Sequence, residues 1–216
     1  MRDTDEMKVI HVSGDFIVID KPRGMLSERP AVGAERKNCP DEIEKYLREH
    51  ALCGEVFTVH RLDATTEGVM VYALNQKAAA ELSRQITDGT LRKSYRAYIT
   101  ASPDLPESGE MRDWLFFDRR ADKSFVVKKD KKGAKEALLT YTLGEPFEWE
   151  GVTLTPADIE LQTGRTHQIR VQFASRKSPL AGDGKYGSRV KKNTASLRSV
   201  RLEFMWRGEK CVFEAE

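Results

Sequence analysis

The sequence predicts an α+β fold: one domain over residues 1–216, built on a mixed, mainly antiparallel β-sheet with a few helices around it. Three observations lead there. Apolar runs of strand length, rich in β-branched and aromatic residues, follow one another along most of the chain. Segments with helical spacing are few. No Gly/Ser-rich linker, composition shift or internal repeat divides the chain, and 216 residues suffice for one well-buried core. Strands in runs, with few helices between them, favour antiparallel pairing over a parallel α/β sheet.

In chain order, KVIHV (8–12) and FIVID (16–20) read as the first strands. A helix is predicted over Cys39 to Glu49, where Ile43 and Leu47 stand four apart on one face. VFTVH (56–60) and GVMVYAL (68–74) are strands with a loop between them. A second helix starts after Asn75, puts Ala79, Leu82 and Ile86 on one face, and stops at Gly89, which suits a left-handed C-terminal position. YRAYIT, FVVK, ALLTYTL, TLTPADIEL and VRLEFMW supply later strands. The segment after Arg165 is ambiguous. Ile169, Val171 and Phe173 alternate as in a strand, yet Ile169 and Phe173 are also four apart as on a helix.

Composition excludes several classes. The net charge of +2 is only mildly basic, short of a protein that coats nucleic acid. Cys39, Cys53 and Cys211 are odd in number and have no short paired spacing, so neither a disulfide framework nor a zinc site is indicated. The start of the chain is polar, without the apolar stretch of a signal peptide, and no window approaches the ~20 apolar residues of a membrane span. A cytosolic setting, away from membranes, is expected.

Two stretches carry the chemistry: His60-Arg61-Leu62-Asp63-Ala64-Thr65-Thr66-Glu67-Gly68, and Gly164-Arg165-Thr166-His167-Gln168-Ile169-Arg170. They place one carboxylate among arginines, which stay protonated and fork onto phosphates or carboxylates. Each residue has a plainer reading alone. An aspartate ahead of threonines ordinarily serves a turn or cap, and a loop arginine is ordinarily a solvated charge. His60-Arg61-Leu62-Asp63 is no kinase catalytic loop, since no Gly-rich loop or Asp-Phe-Gly accompanies it. Gly184-Lys185 lacks the flanking residues of a phosphate loop. No serine or cysteine has a convincing base beside it.

Taken together, the stretches resemble the pseudouridine synthases, in the branch typified by ribosomal large-subunit pseudouridine synthase A. Lys93, Tyr95 and Ala97 resemble a third motif, while Lys21-Pro22-Arg23-Gly24 and Gly182-Asp183-Gly184-Lys185-Tyr186-Gly187 frame them, so the likeness runs from about residue 9 to about residue 206. Three positions depart: Glu67 replaces a small hydroxyl residue, and Gln172 and Arg198 replace histidines. They leave substrate choice open, because such positions could face RNA. The resemblance tips the segment after Arg165 to helix, with Thr166 as its cap. The frequent amino-terminal S4-type RNA-binding domain is not expected, because the first catalytic strand begins by residue 8.

The resemblance implies a cofactor-independent, metal-free isomerase acting on ribosomal or transfer RNA, expected to be a monomer. Asp63 is its catalytic carboxylate, as nucleophile or electrostatic stabiliser. Arg165 is the arginine that pairs with the aspartate, and Tyr95 stacks on the uracil. Arg61 either fills the space of the extruded base or holds phosphate. His60 is a structural hydrogen-bonding group at the substrate site. The basic clusters Arg119-Arg120, Lys123, Lys128-Lys129, Lys131-Lys132, Lys135 and Arg189, Lys191, Lys192 are either a solvated face or RNA-backbone contacts. A catalytically idle RNA-binding protein on the same fold is the alternative, against which the intact Asp63, Tyr95 and Arg165 speak.

Overall fold

A computed structural model describes residues 6–31, 34–191 and 194–215; Lys192, of the second basic cluster, lies outside them. The fold is α+β with a mainly antiparallel sheet and, among the described residues, three α-helices, as the strand-rich sequence predicts. The chain forms two compact units: Met1–Lys93 with Ser199–Glu216, and Ser94–Arg198.

The first unit holds β1 (Lys8–Val12), β2 (Phe16–Lys21), α1 (Cys39–Glu49), β3 (Phe57–Thr58), β4 (Glu67–Ala73), α2 (Gln76–Thr87), most of β11 (Leu197–Trp206), and β12 (Glu209–Glu214). Its strand order is β1-β2-β4-β11, with β3 on β4 and β12 on β11. β2 and β4 are buried along nearly their whole lengths. Phe16, Val18, Val69, Val71, Leu202 and Phe204 of the sheet close the core against Ala78 and Leu82 of α2. Asn38 and Asn75 start the two helices, each side-chain oxygen accepting from a backbone amide three residues on. Gly89 takes the predicted left-handed conformation, φ 72°. The buried face of α2 is rotated from the predicted one: Ala78, Leu82 and Gln85 are buried, and Ala79 and Ile86 are only partly covered. Gln85 turns inward because its amide meets both backbone groups of Met205, in β11.

The predicted strand at 56–60 shrinks to two residues. Beyond Thr58 the ladder to β4 is replaced by a side chain, as the amide of Val71 donates to Nε2 of His60. The loop that follows carries Asp63.

The second unit holds most of β5 (Arg92–Ile99), β6 (Ser108–Asp118), β7 (Lys123–Val127), β8 (Lys135–Leu143), β9 (Phe147–Trp149), β10 (Val152–Leu161), α3 (Gln168–Ser175) and a 3₁₀ turn at Gly184–Tyr186. Its strand order is β5-β10-β8-β6-β7. β6, β9 and β12 were not predicted. In β6 the inward residues Met111 and Leu115 are separated by charges and followed by aromatics, which hides the period of two. The segment after Arg165 is a helix, but Thr166 does not cap it. The chain enters α3 through His167 in a left-handed conformation, φ 55°, with no side-chain cap. The carbonyl of Thr166 accepts instead from Ser124 Oγ.

Candidate active site

Asp63 lies in the loop between β3 and β4, and its backbone is pinned on both sides. On one side, Ser27 Oγ donates to the carbonyl of Leu62 at 2.8 Å and accepts from the Leu62 amide at 3.1 Å. Ser27 is itself held by the Tyr72 hydroxyl, which donates to its carbonyl. On the other side, the carbonyl of Ala64 accepts from the Gly24 amide at 2.8 Å and from Lys21 Nζ at 3.3 Å. The Thr66 amide donates to the carbonyl of Asp63 and closes a turn, and Thr66 is buried. These contacts fix the backbone on both sides of the aspartate.

Lys21 is fully buried at the end of β2 and donates also to the carbonyls of Pro22 and Met25. Burial pulls its pKa down to about 8, against the opposing pull of Cys39, Asp63 and Glu67. Lys21-Pro22-Arg23-Gly24 is thus the floor of the aspartate loop. The sequence marked this motif only as framing, and it carried no signal for Ser27 or Tyr72, which do the same work.

His60 is neutral. Burial, helped by the charge of Lys93, lowers its pKa to about 3, and its Nε2 accepts from the Val71 amide. Arg61 is exposed and pairs with Glu28 at 2.9 Å.

Tyr95 and Arg165 belong to the second unit. Tyr95 sits on β5 and is 5% exposed. Arg165 lies in the loop between β10 and α3, half-buried, with its Nε donating to the carbonyl of Glu136 and its amide to Gln168 Oε1. The Gly164–Arg170 and Gly182–Gly187 motifs meet in this unit. Arg170 forks onto Asp183 at 2.7 and 2.8 Å with both side chains buried, and His167 Nδ1 lies 3.0 Å from the Tyr186 hydroxyl. That hydroxyl also accepts from the Ser124 amide. Arg170 is therefore structural, and Arg165 is the arginine of this block whose side chain stays near the surface.

The model of the RNA pseudouridylate synthase family matches residues 15–175. The chain belongs to that family. An uncharacterized RNA pseudouridine synthase of Haemophilus influenzae is 30% identical over 204 residues, covering 92% of this chain and 82% of that protein. The ribosomal large subunit pseudouridine synthase D of Borreliella burgdorferi is 31% identical, over 90% of this chain and 60% of its own length. The chain thus spans well over half, though not all, of these longer relatives. In fold, it is similar to human RNA Pseudouridylate Synthase Domain Containing 1, with a TM-score of 0.77 at 20% identity over the whole chain and 85% of that structure.

Within this pseudouridylate synthase, two departures from the family pattern acquire physical reasons. Glu67 pairs with Arg23 at 2.9 Å, tying the start of β4 to the Lys21 turn. Gln172 does not face RNA: it is fully buried in α3 and donates to the carbonyl of Met111 and to Asp113. Among the described residues no helix is long and apolar enough to cross a membrane.

Proposed function

We propose that this chain isomerises a specific uridine of ribosomal or transfer RNA to pseudouridine, as a monomer in the cytosol, with Asp63 as the catalytic carboxylate of one domain over residues 1–216. The observation that carries this reading is the bracket around Asp63. Ser27 fixes Leu62, Lys21 and Gly24 fix Ala64, and the family motif supplies a carboxylate between them.

The reaction breaks the bond from N1 of uracil to C1′ of its ribose, turns the base, and forms a bond from C5 to C1′. The hydrogen on C5 then leaves and N1 gains one, so substrate and product are isomers. As in glycoside cleavage, a carboxylate meets positive charge at the anomeric carbon or attacks it. Asp63 fills either role. One carboxylate suffices because uracil leaves as a tolerable anion. Tyr95 supplies a ring to stack on the detached base, and its hydroxyl or Asp63 takes the proton from C5. This reading assigns Arg165 as the aspartate's partner, which fixes the direction of the carboxylate. The target base has to leave its stack, which costs a few kcal/mol unless it lies in a loop.

The test is nucleoside analysis of ribosomal and transfer RNA transcripts after incubation with the protein. Pseudouridine at one position supports the reading. Free uracil with an abasic ribose would mean hydrolysis, and bound but unchanged RNA would mean an idle binding protein.

A further inference from the structure

The edge of the second unit carries a face that the chemistry at Asp63 does not use. β6 and β7 form an antiparallel hairpin, and β7 ends the strand order of that unit. Leu115 of β6 packs inward against Ala137, Val171 and Tyr186. Alternation therefore sends its neighbours Trp114 and Phe116 to the opposite face. The register sets Phe125 directly across from Phe116, and Phe125 is 41% exposed.

Aromatics on the open face of an edge hairpin invite unwanted association unless something covers them. Here the cover is lysine. Lys129 Nζ stands 5.4 Å from the Trp114 ring centre and Lys131 Nζ 4.6 Å from that of Phe116, while Lys123 Nζ is shared between Tyr186 at 5.0 Å and Phe125 at 5.8 Å. From Asp118 to Lys135 there are eight basic and three acidic residues, a net of +5, although the whole chain carries only +2. The rest of the protein is net acidic, so its positive field is concentrated on this hairpin and the turn after it.

We propose that this face is a docking surface for unpaired RNA nucleotides flanking the target uridine. Their bases stack on Trp114, Phe116 and Phe125, and the lysines move from ring to phosphate. The inference rests on the reading of the chain as an RNA-modifying enzyme. A lysine over an exposed ring is held weakly, so a phosphate can take the ammonium and leave the ring open. Stacking then accepts any base, while the lysines meet the phosphates between the bases. An acidic protein segment would satisfy the charge but would leave the three rings without a reason.

Fluorescence anisotropy on the full chain tests this, using a labelled stem-loop RNA with and without single-stranded flanks. Trp114→Leu and Phe125→Ser should each cost about ten-fold in affinity for the flanked RNA and little for the bare stem-loop. Trp114→Phe should restore binding. The double variant Lys129→Glu with Lys131→Glu should weaken both RNAs and make the salt dependence shallower by about one to two. Thermal melts establish that each variant is folded. Flanks that add no affinity, folded variants that bind within two-fold of wild type, or an acidic peptide that occupies the face without displacing RNA would each overturn the proposal. Absence of pseudouridine from the wild-type reaction, with flank-dependent binding intact, would sink the enzymatic reading and leave the surface standing.

Discussion

The ammonium of Lys21 reaches across 43 positions of sequence to the carbonyl of Ala64, the residue next to Asp63. Its burial lowers its pKa to about 8. Between that value and the ordinary 10.5, the unfolded chain binds more protons than the folded one, so folding stability rises with pH there while the charge beside Asp63 is lost. The single-turnover rate should accordingly fall above pH about 8 although the protein does not unfold. Lys21→Met should be slower throughout and lack that alkaline limb. An identical limb in both proteins would assign it to another group.

His60 makes a prediction of the same sign on the acid side. Its folded pKa, about 3, lies below its ordinary 6.5, so the stability it contributes is fully present above 6.5 and is lost as pH falls toward 3. Wild type should lose denaturation free energy over that window more steeply than His60→Gln, which keeps an acceptor for the Val71 amide but cannot take the proton. Parallel curves would show that the imidazole is not held neutral.

Gly68 opens β4 at φ 116°, and a Cβ there would run into the carbonyl of Ser199 in β11. No rotamer change relieves a clash with backbone. Gly68→Ala should destabilise the protein by about 3 kcal/mol or more, read from urea denaturation. A loss under about 1 kcal/mol would mean that β11 yields easily.

Legibility followed local chemistry. α1 was readable to the residue because Asn38, Pro40 and the Ile43/Leu47 pair all act within one helix. β6 was not, since Asp113 stands on the inward face between Met111 and Leu115 and aromatics stand on the open face, which masks the alternation. At the candidate site, His60, Asp63 and Arg165 were visible as motif residues. Ser27 and Tyr72 were invisible because their work is done by contacts 35 and 45 residues away in sequence. Thr166 looked like a cap because hydroxyls usually are; the left-handed turn at His167 took that place.

Arg61 pairs with Glu28. If Arg61 turns to a phosphate on binding, Glu28 competes with the RNA. Glu28→Gln should then raise affinity a few-fold, and Arg61→Met should lower it and make the salt slope shallower by about one. A wedge into the base stack would instead leave the salt slope unchanged and penalise paired targets more than unpaired ones.

Asp63→Asn keeps the size of the side chain and leaves the contacts from Ser27, Gly24 and Lys21 in place, while removing the charge that meets C1′. Single-turnover nucleoside analysis with saturating RNA, together with anisotropy for binding, tests it. RNA affinity should stay within a few-fold of wild type, with no detectable pseudouridine. Substantial pseudouridine from Asp63→Asn would contradict the assignment of the catalytic carboxylate.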